Sequence, residues 1–199
     1  MKILNLYAGI GGNRKLWGNE HDITAVEINP KVAKIYHDFF PKDKVIVADA
    51  HQFLLDHYNE YDFIWSSPPC PTHSRVRKIN EIQNKPVYPD MKLYEEILFL
   101  QGYAKGKWVV ENVRSWYKPL IKPYDVGKHY FWSNFYISPF KIKTREHNGT
   151  IKELSMRKGF NLSKYKNINK IKILRNCMES ELGLHVLNCA MKSMQSRLT

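Results

Sequence analysis

The chain has 199 residues, of which 43% are hydrophobic and 25% are charged, a balance that fits one globular domain with a buried core. Its apolar runs are shorter than the roughly 20 residues that cross a bilayer. Its start lacks the profile of a signal peptide, so we expect a cytoplasmic protein with no membrane partner. Three cysteines are too few and too scattered for a disulfide framework or a cysteine metal site, which predicts free thiols and no metal. The formal charge of +12 favours a polyanionic partner, although solubility alone would also account for it.

Short apolar segments alternate with helical patterns along the first two thirds of the chain. The segments that predict strands are residues 2–7, 23–27, 45–49, 61–65 and 107–111. Helices are predicted from Arg14, from Pro30 with Asn29 as its N-cap, and over residues 91–105. This alternation predicts an α/β fold, with a mostly parallel sheet and helices on both faces.

Beyond residue 132 the periodicity weakens. Residues 141–174 are polar and rich in Lys and Asn, which indicates either a small subdomain or a mobile basic loop. Residues 182–194 again show the spacing of an amphipathic helix.

The unusual residues of the sequence fall near the ends of the predicted strands. Glycines at 9–12 follow the first strand, Glu27 and Asp49 end the second and third, Cys70 follows the fourth and Glu111 ends the fifth. Parallel sheets bind ligands at the carboxyl ends of their strands. We therefore expect these residues to form one site.

The glycines and the two acids indicate a cofactor that carries a nucleoside. Glycine lets the backbone approach a ligand closely, although a tight turn would also explain the cluster. Glu27 is placed to accept hydrogen bonds from ribose hydroxyls. Asp49 either accepts an adenine amino group or caps the helix that follows. No Gly-Lys-Ser/Thr triplet follows the glycines, so no strong phosphate requirement is predicted.

Cys70 is the candidate nucleophile, because prolines before and after it restrict the backbone in Ser-Pro-Pro-Cys-Pro-Thr-His-Ser. Arg75, Arg77 and Lys78 would either favour the thiolate or bind a phosphate backbone. The alternative is a buried structural cysteine. Glu111, in Val-Glu-Asn-Val, would protonate a ring nitrogen of a base if burial raised its pKa, and a salt bridge to Arg114 is its alternative role.

Taken in order, these segments resemble the cytosine-C5 DNA methyltransferases. The residues that carry the resemblance are Leu-Tyr-Ala-Gly-Ile-Gly-Gly, Glu27, Asp49, the Cys70 segment and Glu-Asn-Val. The resemblance implies a Rossmann-like S-adenosylmethionine-dependent methyltransferase fold. It also implies S-adenosylmethionine as cofactor and methyl transfer to C5 of a cytosine that is flipped out of double-stranded DNA. Cys70 would add to C6 of the base, and Glu111 would act on N3 and the exocyclic amine.

The same resemblance assigns binding residues. It implies cofactor contacts at Tyr7, Ala8, Gly9, Gly11, Gly12, Glu27, Ile28, Asp49, Ala50 and Pro69. It implies substrate contacts at Ser74, Asn112, Val113, Lys128 and His129. Tyr7 stands where the family usually has Phe. The last two substrate residues are substitutes for an arginine motif that contacts the cytosine O2 and that this sequence lacks.

The resemblance also suggests how the chain is organised. Residues 1–140 with 175–199 would form the catalytic domain, whose segment 175–184 resembles the family motif that closes the cofactor pocket. Residues 141–174 would be a short basic insertion that forms a reduced target-recognition subdomain, which predicts recognition of only a dinucleotide to a tetranucleotide. A phage-type enzyme, active as a monomer, would fit this size.

Two alternative functions stay open. One is a cytosine-C5 methyltransferase that acts on RNA, which the absence of the Cys-Phe-Thr tripeptide of the tRNA-acting relatives disfavours. The other is a catalytically degenerate module that binds DNA or S-adenosylmethionine, which the presence of both Cys70 and Glu111 disfavours.

Overall fold

The computed structural model describes residues 1–79, 85–141 and 149–195. Within them one sheet has the order β3-β2-β1-β4-β5-β7-β6, in which the first five strands are parallel and the last two are antiparallel. The strands are β1 (Lys2–Leu6), β2 (Asp22–Val26), β3 (Lys44–Ile46), β4 (Phe63–Ser66), β5 (Lys107–Val113), β6 (Tyr124–Val126) and β7 (His129–Ser133). The helices are α1 (Pro30–Phe39), α2 (Ala50–His57), α3 (Arg75–Ile79), α4 (Lys92–Tyr103), α5 (Ile151–Lys158), α6 (Lys170–Asn176) and α7 (Ser180–Gln195). The predicted α/β class is confirmed.

Helices cover both faces of the sheet because alternate strand residues point to opposite sides. Ile3 and its same-face neighbours pack against α7, while Leu4 and its neighbours pack against α2 and α4. The central strands are buried on both sides, as in parallel sheets generally. In the described part of the chain, no helix has the length and apolar content needed to cross a membrane.

Local structure departs from the predictions near the strand ends. The helix predicted from Arg14 is a single 3-10 turn over Arg14–Leu16, and the positive φ of Gly18 (79°) follows it. The third strand ends at Ile46 rather than at residue 49, because Asp49 caps α2. The hairpin of β6 and β7 was not predicted. Its two-residue turn places Gly127 at the position that requires a positive φ.

Residues 149–174 contain α5 and most of α6, so the loop alternative is wrong for this part of the segment. Residues 142–148 lie outside the described residues. A capping box between Thr150 and Glu153 starts α5, and a left-handed Gly159 ends it. Apolar side chains of this segment share a core cluster with Ile10 of the glycine loop and Ile35 of α1. The boundary expected at 174/175 falls inside α6. The segment is thus packed against the sheet domain and does not stand apart from it.

Helix α7 packs closely on the chain that follows the glycine loop. A Cβ atom at Gly183 would overlap the carbonyl oxygen of Asn13 and lie 2.7 Å from its Cα. Backbone atoms cannot move aside as a side-chain end can. Glycine is therefore required here for close helix packing rather than for a turn.

We expect Gly183→Ala to lower the free energy of unfolding by about 1–3 kcal/mol, because the added methyl group forces α7 away from Asn13. Gly102→Ala in α4 is the matched control. A Cβ there meets no atom within 4 Å, so alanine should stabilise the helix by about 0.5–1 kcal/mol. Urea unfolding of both variants measures this, and a Gly183→Ala protein as stable as Gly102→Ala would contradict the packing argument.

Candidate active site

A cavity of about 810 Å³ opens at the carboxyl ends of the parallel strands. One wall comes from the glycine loop and the start of α1, and the opposite wall from residues 167–178, including Lys172, Asn176 and Cys177. The volume lies within the range of small-molecule and cofactor sites. The basic segment predicted as an insertion thus supplies part of this pocket.

The predicted cofactor residues divide into two groups. Those that line the cavity are Tyr7, Ala8, Gly9, Gly12, Glu27 and Ile28. Those that do not line it, although the structure describes them, are Gly11, Asp49, Ala50 and Pro69. Of the predicted catalytic pair, Glu111 lines the cavity and Cys70 does not.

The glycine loop presents bare backbone to the cavity. Gly9 has a φ of 56°, and a Cβ on it would meet no atom within 4 Å. Gly12 is needed for packing, because its Cβ would lie 2.5 Å from the sulfur of Cys177. Tyr7 has a φ of 54°, unusual for a residue with a side chain and costly by about 1–2 kcal/mol. The loop is therefore open where a ligand would approach.

Glu27 connects the glycine loop to the start of α1. Its Oε2 accepts a hydrogen bond from the Gly9 N–H at 3.0 Å, and its Oε1 accepts one from the Asn29 N–H at 2.9 Å. The carboxylate is half-buried and lines the cavity. Each of its oxygens has a second lone pair for a ligand hydroxyl. The ribose contact itself stays a prediction.

Asp49 acts as the N-cap of α2. Its Oδ1 accepts hydrogen bonds from the N–H groups of His51 at 2.9 Å and Gln52 at 3.1 Å, and these bonds lower its pKa. The structure therefore shows the capping role, and the adenine contact stays a prediction.

The loop that carries Cys70 is tied to the strand that carries Glu111. The Asn112 amide donates to the Pro68 carbonyl at 2.9 Å and accepts from the Val113 N–H at 3.0 Å. The Cys70 carbonyl then accepts the N–H groups of His73 and Ser74, both at 3.0 Å, in a tight turn. The Ser74 hydroxyl accepts the Val76 N–H at 3.3 Å. This places the thiol beside the end of β5.

The Cys70 thiol has a raised pKa, whereas activated cysteines have a lowered one. Burial raises its pKa, and the negative charge of Glu111 raises it further. Arg75 donates to the Ser115 carbonyl at 3.1 Å, and Arg77 donates to a backbone carbonyl at residue 85. The side chain of Lys78 lies outside the described part of the chain. Each arginine thus bonds a backbone carbonyl, and its suggested effect on the thiolate or on a phosphate backbone stays a prediction.

Glu111 forms a hydrogen bond with His129, the first residue of β7. The His129 Nδ1 lies 2.6 Å from the Glu111 Oε1, and the carboxylate is 8% exposed. Arg114, the alternative partner, pairs instead with Asp125 at 2.7 Å. Lys128 is exposed in the hairpin turn. Of the two proposed substitutes for the missing arginine, only His129 contacts Glu111 among the contacts described.

The sequence analysis missed Glu96, which is 1% exposed in α4. Its carboxylate accepts from the Tyr7 hydroxyl at 2.6 Å and from the Ser66 hydroxyl at 2.5 Å, and it lies 3.0 Å from His51 Nδ1. A carboxylate next to Ile97 on the apolar side of a predicted helix was the available signal. Buried carboxylates need such partners.

The mostly parallel sheet and the cavity at its carboxyl edge define the S-adenosylmethionine-dependent methyltransferase fold. A family model described as C-5 cytosine-specific DNA methylase matches residues 1–119, and the chain belongs to that family. The chain is therefore a methyltransferase, and its cofactor is S-adenosylmethionine. The open backbone at Gly9 and the carboxylate of Glu27 suit such a cofactor.

A solved structure shows the same fold. The methyltransferase EhMeth from Entamoeba histolytica is 11% identical, with a TM-score of 0.59 and 98% of each chain covered. A DNMT2 mutant from Spodoptera frugiperda is 28% identical over 56% of this chain and 35% of its own, with a TM-score of 0.38. No curated protein matches the chain.

We expect Glu27→Gln to raise the dissociation constant of S-adenosylhomocysteine, the demethylated cofactor, by about 10- to 100-fold. The amide removes the charge and one of the two acceptor oxygens, and hydrogen bonds to charged groups contribute about 1.5–3 kcal/mol. Calorimetric titration measures this. Glu60→Gln, which alters an exposed carboxylate beside His57, is the control. Equal affinities of both variants would exclude Glu27 from the cofactor site.

Proposed function

We propose that the chain methylates C5 of cytosine in double-stranded DNA through a covalent bond between Cys70 and C6 of the base, with short or relaxed sequence specificity. The observation that carries this proposal is the tie from Asn112 to Pro68, which holds the Cys70 loop beside Glu111. Glu111 itself lines the cofactor cavity. A nucleophile, an acid and a methyl donor would then meet at one base.

Each residue has a role that its position supports. In the proposed reaction the Cys70 thiolate forms a bond to C6 while Glu111, as a carboxylic acid, donates its proton to N3. The electron pair of the C5–C6 double bond is then available at C5, which is otherwise a poor nucleophile. S-adenosylmethionine supplies a methyl group on a positively charged sulfur. Loss of the C5 proton to a base, cleavage of the sulfur–C6 bond and return of the N3 proton to Glu111 restore the double bond, the free thiolate and the carboxylic acid.

The raised pKa of Cys70 supports a coupling between its ionisation and the state of Glu111. The negative charge of Glu111 contributes to that raised pKa. When Glu111 is protonated to act on N3, this charge is absent and the thiolate is easier to form. The proposal therefore places the active thiolate in the complex with the base and the resting thiol in the free protein.

We further propose that His129, rather than Lys128, acts in place of the missing arginine. Its ring contacts Glu111 at 2.6 Å, so it is positioned to orient that carboxyl group and to face the same base. The second ring nitrogen, Nε2, is a donor toward the cytosine O2 when the ring carries a proton on both nitrogens.

The proposal of relaxed specificity rests on the segment 149–174, the described part of the proposed insertion. Its buried apolar side chains belong to the core cluster that also contains Ile10 and Ile35. Its outer surface carries exposed lysines, at Lys152, Lys164 and Lys166. Lysines bind phosphates and position a duplex without reading its sequence. The domain division at residues 140 and 175 stays part of this proposal.

Cys70→Ala should lower transfer of a labelled methyl group to duplex DNA by at least about a thousandfold, because the covalent route is removed. Wild-type protein should form an adduct with duplex DNA that contains 5-fluorocytosine, since the fluorine blocks proton loss. Cys189→Ala, which alters a half-buried cysteine of α7, should keep both activities. Methyl transfer that survives in Cys70→Ala would exclude the covalent mechanism.

The same assay separates the substrates. One cytosine-containing sequence is offered as duplex DNA and as an RNA hairpin, and the proposal requires the duplex DNA to be preferred. Sequencing the methylated duplex should show a required context of about two to four base pairs. A preference for RNA, or a long required motif, would contradict the substrate or the specificity proposed.

His129→Ala should lower the rate of methyl transfer by about 10- to 100-fold, the value of a hydrogen bond to a charged group. Lys128→Ala, which alters the adjacent exposed residue, should change the rate less than about twofold. Single-turnover rates at saturating cofactor measure both. A larger loss in Lys128→Ala than in His129→Ala would reverse the assignment.

A further inference from the structure

Glu96 is a buried carboxylate that joins two walls of the active site. Its Oε1 accepts the Tyr7 hydroxyl at 2.6 Å and lies 3.0 Å from His51 Nδ1. Its Oε2 accepts the Ser66 hydroxyl at 2.5 Å. Leu93 and Ile97, on the same helix, are buried in the core. Moving the carboxylate from water into this environment is unfavourable unless all of these bonds form together.

The two oxygens of Glu96 serve different parts of the site. Tyr7 lines the cofactor cavity and has a positive φ, so its ring position depends on an anchor outside the loop. Ser66 ends β4 and is the residue from which the chain leaves toward Cys70. One oxygen therefore anchors the cofactor wall, and the other anchors the start of the nucleophile loop.

We propose that Glu96 is a positioning residue that couples the cofactor pocket to the Cys70 loop. This inference rests on the proposed function for the role of Cys70, but the link between the two walls does not. A ligand that orders Tyr7 also orders Glu96, and through the second oxygen it orders Ser66. By thermodynamic linkage, an event at the Cys70 loop must change cofactor affinity by the same factor.

His51 completes the network as its titratable member. Its ring faces Glu96 at 3.0 Å and Glu95 at 3.4 Å. The hydrogen bond to Glu96 is the main cause of its raised pKa, while burial and Lys92 act in the opposite direction. Asp49, the cap of the same helix, is the remaining charged neighbour. At low pH the protonated ring thus neutralises the buried carboxylate.

The coupling is tested by the rate at which iodoacetamide alkylates Cys70, followed by mass spectrometry with and without saturating S-adenosylhomocysteine. In the wild-type protein we expect the ligand to slow alkylation at least about fivefold, the lower end of typical coupling. In Glu96→Gln the rates with and without ligand should become nearly equal. Glu95→Gln, the exposed neighbour, should retain the wild-type ratio.

Two milder variants separate the walls. Tyr7→Phe keeps the ring but loses the hydroxyl, so the affinity for S-adenosylhomocysteine should fall about threefold to tenfold while alkylation of the free protein is unchanged. Ser66→Ala breaks the link on the side of the nucleophile loop, so alkylation of the free protein should be faster and the ligand should no longer slow it. An unchanged ligand effect in Glu96→Gln would overturn the proposal, as would equal effects of Tyr7→Phe and Ser66→Ala on both measurements. Because alkylation needs no catalysis, failure of the proposed methylation would be seen separately.

The pH dependence of stability provides a second measurement. A raised pKa means that the contribution of His51 is fully present below its unfolded pKa and is lost as pH rises through the folded value. The melting temperature of wild-type protein should therefore fall relative to that of Glu96→Gln between about pH 6 and pH 8. His21 and His73, whose pKa values are lowered by burial, contribute equally to the pH dependence of both proteins, so their contributions cancel in the comparison. A constant difference between the two proteins would exclude the His51 pair from the network.

Discussion

The site depends on the pairing of β4 with β5. Their parallel register ends at Ser66 opposite Val110, after which β4 turns away toward Cys70 while β5 continues through Glu111. On the opposite edge of β5, the antiparallel strand β7 pairs with Val109 to Val113 and places His129 opposite Val113. Because β4 ends earlier than β5, an opening remains beside which the Cys70 loop, Glu111 and His129 lie.

Asn112 closes the gap that this divergence leaves. Where β5 has lost β4 as a partner, the Asn112 amide bonds the Pro68 carbonyl and so replaces one contact of the strand pair. The prolines around Cys70 limit the backbone conformations of the loop. A stiff loop with one side-chain bond fixes the direction of the thiol, whereas a flexible loop would need several such bonds. The direction in which the Cys70 thiol points is therefore determined by the prolines together with Asn112.

The sequence predicted features that depend on local patterns. Asn29 and Pro30 start α1 as expected, because the capping and proline preferences of a first turn are local. The helices of residues 149–174 were not predicted, because only a few apolar residues form their core and the rest of the segment is polar. The pairing of Glu111 with His129 depends on an antiparallel strand that joins the sheet from a distance in sequence. The role of Asp49 could not be predicted from the motif alone, since an aspartate suits both an adenine contact and a helix cap.

The Cys70 thiol has low reactivity in the free protein, and its surroundings explain this. Burial and Glu111 both raise the pKa of Cys70, so the reactive thiolate is disfavoured in the free protein. A cysteine activated by permanent cations would be open to oxidation and to other electrophiles at all times. In the proposed mechanism a protonated Glu111 that bonds N3 of the base carries no negative charge, so it no longer opposes formation of the thiolate. In this mechanism the need for a base with a suitable N3 contributes to the choice of target. The basic 149–174 segment contributes less, because its residues largely form their own core and the wall of the cofactor cavity.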